Sequence, residues 1–221
     1  MLSWINQVDI ESLSERIQVQ KNIIKSVEGQ QEFLHLIPNG EDELINLIFQ
    51  SGKGYLLDQW LIDQASELMI HTEVETVFVT LKSNIIEHNQ FFEKLYSRMA
   101  SLPRQKKLHF CFDNQHLPEL ESLADFCREV KSYGCEVSLF NWGMDARSFE
   151  ILQYNFFSQL SIASAIITDD KPQMKALLNT LAGLAKDMEI DLILTKPAAM
   201  PTQAFQELLN TVKPAYIERA D

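Results

Sequence analysis

Glu32 stands inside an otherwise mostly apolar run, Gln30 to Ile37. A lone carboxylate buried there would be costly unless paired or metal-bound, which would mark a site; on the polar side of the same strand it would simply face water. Both readings are open on the residues alone. His109 and Cys111 lie two apart and so share one side of a strand. They could begin a zinc site, but no third ligand is in view, and a strand-interior pair is the better account. Lys82 and Lys196 each follow an apolar run and could reach one mouth or face solvent. An enzyme with unusual ligands would be built around Glu32, His35 and Lys196. Against these candidates stands Gly134 to Gly143, a buried-strand pattern that ends in Phe140, Asn141, Trp142 and glycine. A strand of this kind delivers a loop to the sheet end where α/β proteins place their chemistry, and what arrives is neither acid, base nor metal-binding carboxylate.

The elements that must hold these residues follow from periodicity. Asp9 to Glu15 reads as a short capped helix, then Ile17 to Ile24 and Gln30 to Ile37 as a hairpin-like pair of strands turning at Glu28-Gly29 and ended by Pro38-Asn39-Gly40. A helix follows to Gln50, and a stronger one from Tyr55 to Met69, with Leu56, Leu57, Trp60, Leu61, Ala65 and Leu68 as its apolar stripe. From there strands and helices alternate. The expected strands are Thr76 to Leu81, Lys107 to Phe112, Cys135 to Phe140, Gln159 to Ala163, Ile190 to Leu194 and Pro214 to Glu218. The expected helices are Ile86 to Met99, Pro118 to Tyr133, Ser148 to Gln153, Lys171 to Met188 and Thr202 to Val212. Eight strands in a chain of this size favour a closed α/β barrel over an open doubly wound sheet.

Composition narrows the function classes. Nineteen basic residues against 31 acids give a net charge of −12, the wrong sign for gripping a phosphate backbone, so direct nucleic-acid binding is disfavoured. Apolar residues make up 46%, enough for a large core. Cys111, Cys127 and Cys135 show no CxxC pairing and read as reduced core thiols. No apolar run is long enough to cross a bilayer and no signal peptide opens the chain, which makes the cytoplasm the expected compartment. Gly52-Lys53-Gly54 lacks the Ser or Thr a P-loop needs after its lysine, and Arg104, Lys106 and Lys107 read as a polar loop.

An ordered set of segments resembles the EAL domain, the bacterial cyclic-di-GMP phosphodiesterase barrel. Leu44 to Gly52 and Leu57 to Ala65 are similar to the family's "FIPLAEESG…LDRWVLxxA" segment. Glu32-Phe33-Leu34 falls where the name-giving Glu-Ala-Leu stands, and Val79 to Lys82 on the "VNLS" strand. Leu108 to Asn114 stands for "LxLEITE", Gly134 to Gly143 for "GxxxALDDFG", Leu160 to Ala163 for "LKID", and Ile190 to Ala199 for "LxVVAEGVET". In active members, the resemblance implies, these strand ends hold two divalent metals that activate water against a phosphodiester. Carried over position by position, only Glu32 keeps its type. The other site positions become Thr80, Cys111, Phe140, Asn141, Ser161 (the family's lysine), Ala163 and Thr195, with the loop glutamate at Ala198 or Ala199. The phosphate-holding arginine becomes Leu36, and the closing Gln-Gly-Tyr-Leu becomes Pro214-Ala215-Tyr216-Ile217.

The resemblance therefore implies a single domain over residues 1–221, or a piece cut from a longer protein. Its fold would be a (β/α)8 TIM-like barrel with irregular first strands. Its expected function is that of a degenerate, catalytically inactive EAL domain without metal or cofactor, similar to the CsrD type of inactive GGDEF–EAL protein. It would bind a protein partner, with a transcription regulator or a sugar-phosphotransferase component as the family's examples. The alternative is a cyclic-di-GMP receptor that does not hydrolyse its ligand.

Overall fold

In the computed structural model, which describes residues 9, 15–40, 42–82, 85–87, 89–143 and 147–220, the alternating apolar runs close into one barrel. β1 (Gln18–Ser26) and β2 (Glu32–Asn39) form an antiparallel hairpin. β3 (Thr76–Leu81), β4 (Lys107–Asp113), β5 (Glu136–Trp142), β6 (Gln159–Ile162), β7 (Asp191–Thr195) and β8 (Tyr216–Ala220) follow in order. Each is parallel to the one before, and β8 returns antiparallel to β1. Full closure leaves no open edge strand among the described residues. The barrel is the expected (β/α)8 type, and its irregularity is the reversed first strand.

Parity along each strand divides the side chains. The odd residues of β3 and the even ones of β4 (Val77, Val79, Leu81, Leu108, Phe110, Phe112) face outward into the large core beneath the helices. α1 (Asp42–Gln50), α2 (Gly54–His71), α3 (Asn89–Ser101), α4 (Leu120–Ser132), the short α5 (Arg147–Glu150) and α6 (Ser164–Thr168), α7 (Pro172–Asp187) and α8 (Thr202–Val212) supply the outer layer. The stripe on α2 is buried as expected at Leu57, Trp60, Leu61 and Ala65. The opposite parity fills the lumen with Ile24, Phe78, Cys111, Phe140 and Ile193, backed by Phe33 and Tyr216.

Several boundaries differ from those read in the sequence. The helix over Asp9 to Glu15 falls mostly on residues outside those described. β2 continues through Pro38, opposite Val19, because it pairs with β3 only over Leu34–Leu36 and its missing N–H is tolerated beyond them. β5 runs on through Asn141 and Trp142, and β8 begins at Tyr216 and carries Glu218 into its middle.

Candidate functional site at the barrel mouth

At the carboxyl ends of the strands a cavity of about 240 Å³ opens between Asn22, His35, Thr80, Lys82, Phe140 and Thr195, with Glu218 on its floor. Glu218 is 3% exposed and His35 2%. His35 Nδ1 lies 2.6 Å from Glu218 Oε1, and its Nε2 lies 2.6 Å from Thr80 Oγ1. A carboxylate can only accept, so Nδ1 carries the proton toward Glu218; Nε2 accepts from the Thr80 hydroxyl in the neutral ring and donates to it in the charged one. Asn22 Nδ2 donates to the same Oε1 at 3.0 Å and Thr195 Oγ1 donates to Oε2 at 2.7 Å. Burial alone would raise the Glu218 pKa. The hydrogen bond and charge of His35, with the bonds from Asn22 and Thr195, outweigh it and hold the group at about 2. The Phe140 ring closes over His35 with centroids 4.9 Å apart.

The rim is set by a backbone irregularity. The β5–β6 register shifts between Leu139 and Trp142, and Asn141 adopts φ 57°. The irregularity re-aims a side chain that strict alternation would send outward. Asn141 thus lines the cavity, and its Nδ2 donates to Asp113 Oδ2 at 2.8 Å. Gly143, at φ 97°, lets the chain pass close to α6 and α7, since a Cβ there would sit 2.8 Å from Leu181 and 2.9 Å from Ile166.

The structure brings Thr80, Phe140, Asn141, Ser161 and Thr195 to this cavity, with Cys111 deeper in the lumen. Glu32 is a correction. It is the first residue of β2, at the opposite end of the barrel, where its side chain is half-exposed and pairs with Lys25 at 2.7 Å. Parity, not proximity to an apolar run, decides what β2 sends inward, and three residues on that is His35. Leu36 and Ala163 turn away from the lumen into the core under the helices. Lys82 reaches the mouth; Lys196 is fixed beside it by its backbone N–H, which donates to the Glu218 carbonyl at 3.2 Å. The sequence reading missed Glu218 because it ended strand eight there. The signal was available in the Tyr216, Glu218 alternation.

His109 and Cys111 do share the lumen side but form no metal pair. His109 Nε2 is 2.7 Å from Ser138 Oγ, which donates to Gln159 Oε1 at 2.8 Å, and the imidazole stacks on Phe78 at 4.0 Å. Burial, and then the charge of His35, push its pKa down to about 3. Burial also raises the Cys111 thiol well above its ordinary value, which leaves it unreactive. Two hard cations need several free carboxylate oxygens. At the mouth the oxygens of Glu218 already accept three bonds and Asp113 accepts from Asn141. Among the described residues no three His, Cys, Asp or Glu side chains cluster as ligands. The donor set does not fit a metal pair.

The family model described as the EAL domain matches residues 27–196. The chain belongs to the EAL domain family. Solved structures agree on the fold. The EAL domain of FimX from Pseudomonas aeruginosa bound to c-di-GMP aligns at TM-score 0.84 and 15% identity, over 98% of this chain and 92% of that one. The PaMucR phosphodiesterase in its c-di-GMP complex aligns at 0.78 and 13%, over 92% and 94%. The Vibrio cholerae LapD S helix-GGDEF-EAL protein aligns at 0.78 and 15%, over 95% of this chain and 54% of that one. No curated protein matches in sequence. The expectation of a chain that is not an enzyme is overturned by this EAL membership, since the family's solved structures include a phosphodiesterase. The acids at the mouth are Glu218, bonded to His35, and, at the rim, Asp113, rather than Glu32. This EAL domain has the barrel of c-di-GMP signalling proteins, and among its described residues no helix is long and apolar enough to cross a membrane.

Proposed function

We propose that this EAL domain is a regulatory module of cyclic-di-GMP signalling that works by engaging a protein partner. The observation that carries the proposal is the state of the mouth. Its deep carboxylate is bonded on both oxygens by His35, Asn22 and Thr195. The cavity above it, about 240 Å³, is smaller than the roughly 300–1,000 Å³ of pockets that bury drug-sized ligands. A cyclic dinucleotide brings two phosphates. Lys82 and His35 are the nitrogen bases on this wall among the described residues, and His35 is already committed to Glu218. A transcription regulator or a sugar-phosphotransferase component is the partner class this proposal carries forward.

A cyclic-di-GMP receptor is the second reading, supported by the similarity to the FimX domain bound to that ligand. Titration calorimetry with cyclic-di-GMP, with and without magnesium or calcium, separates the two. The protein-partner reading expects no heat at high nucleotide concentration. Saturable heat without turnover would establish the receptor reading, and turnover of the dinucleotide would replace both.

A further inference from the structure

We propose that Thr80, His35 and Glu218 form a hydrolytic triad for small esters or thioesters, with Thr80 as nucleophile, His35 as general base and Glu218 as the group that orients it. The relay has the geometry that acyl transfer requires. Hydroxyl to Nε2 is 2.6 Å, Nδ1 to carboxylate is 2.6 Å, and the three residues come from separate strands, β3, β2 and β8. The acid is fixed from two further sides by Asn22 and Thr195, so the imidazole cannot turn without breaking a bonded network. All three side chains border the same cavity, and its volume suits a short acyl group rather than a polymer. Lys82 on that wall is the cation available to a developing oxyanion. The second hydroxyl–imidazole pair in the lumen, Ser138 with His109, is about as buried but has no carboxylate bonded to its ring among the described residues, so of the two pairs the one at the mouth has both a base and an orienting acid.

In the first step the Thr80 oxygen bonds to the substrate carbonyl carbon while its proton passes to His35 Nε2. Collapse of the tetrahedral adduct breaks the bond to the leaving alkoxide or thiolate, which takes that proton. The acyl group is then on Thr80, and water repeats the sequence to release the carboxylic acid and restore the hydroxyl. No oxidant, metal or cofactor is needed.

The test uses the full chain with p-nitrophenyl acetate and an acetyl thioester. Turnover should fall by about 100-fold or more in Thr80→Val and in His35→Gln, in line with loss of a nucleophile or general base. Thr80→Ser should retain it and Glu32→Ala should leave it unchanged. Glu218→Gln should lower kcat with KM preserved and shift the pH profile. Intact-protein and peptide mass spectrometry on the unmodified protein, quenched in acid, should find the acetyl group on Thr80, a readout that does not depend on any variant folding. Absence of turnover by the folded protein, label on Lys82 or another residue, or rates unchanged in Thr80→Val would each overturn the proposal.

Discussion

Two histidines point into the same lumen and meet opposite fates. His35, at the carboxyl ends of the strands, faces a carboxylate, and the pair is held by Asn22, Thr80 and Thr195. His109, toward the amino ends, stacks on Phe78 and bonds to Ser138, with no acid on its ring among the described residues, and burial keeps it neutral down to about pH 3. Burial is nearly equal at the two sites, so burial alone does not set what a lumen histidine does; the partner does. The mouth thereby pairs its buried imidazole with a carboxylate where the fold gathers its strand ends, while toward the base of the barrel a neutral ring borders a smaller cavity of about 190 Å³.

The comparison can be broken by substitution. His35→Ala leaves Glu218 buried without its main partner and should cost about 3–5 kcal/mol in urea unfolding, the largest single effect at either site. A loss under about 1 kcal/mol would mean that the pair is not desolvated. His109→Leu leaves Ser138 and Gln159 to satisfy one another and should cost about 1–3 kcal/mol at neutral pH. Its sharper signature is acid sensitivity. The folded His109 pKa lies below its unfolded value of 6.5, so the unfolded chain takes up the proton first; stability is full above 6.5 and declines as pH falls toward 3. Melting curves from pH 7 to 4 should flatten in His109→Leu.

Gly143→Ala tests the bend that aims Asn141 at the rim. A side chain at φ 97° against Leu181 and Ile166 should cost roughly 1–3 kcal/mol, read as a lower melting temperature. At the smallest end, Glu32→Ala removes an exposed ion pair with Lys25 and should change stability by no more than about 1 kcal/mol, leaving the mouth's titration untouched.

Most of the barrel could be read from local pattern. Thr76–Leu81 and Thr202–Val212 begin and end where β-branching and helical spacing place them. The site was less legible because it depends on parity and register, which a one-residue slip reverses. Thr80 and Thr195 are strand-end residues whose inward direction follows from simple alternation. Glu32 looked like a site residue because it sits in an apolar run, but only the pairing of β1 with β2 shows that it opens the strand beside Lys25. Asn141 reaches the mouth through a backbone irregularity that no alternation rule contains. The closeness of His35 and Glu218, 183 positions apart in the chain, exists only once β8 closes onto β1.

The most direct measurement is the titration of the Glu218 carboxyl, followed by ¹³C NMR against the Glu218→Gln spectrum. Because its folded pKa is depressed from 4.5 to about 2, its contribution to stability is complete above 4.5 and is lost as pH falls through about 2. The resonance should therefore stay that of a carboxylate from pH 6 to about pH 3. A midpoint near 4.5 in the folded protein would mean that His35, Asn22 and Thr195 do not hold this acid, and the proposed organisation of the mouth would fail with it.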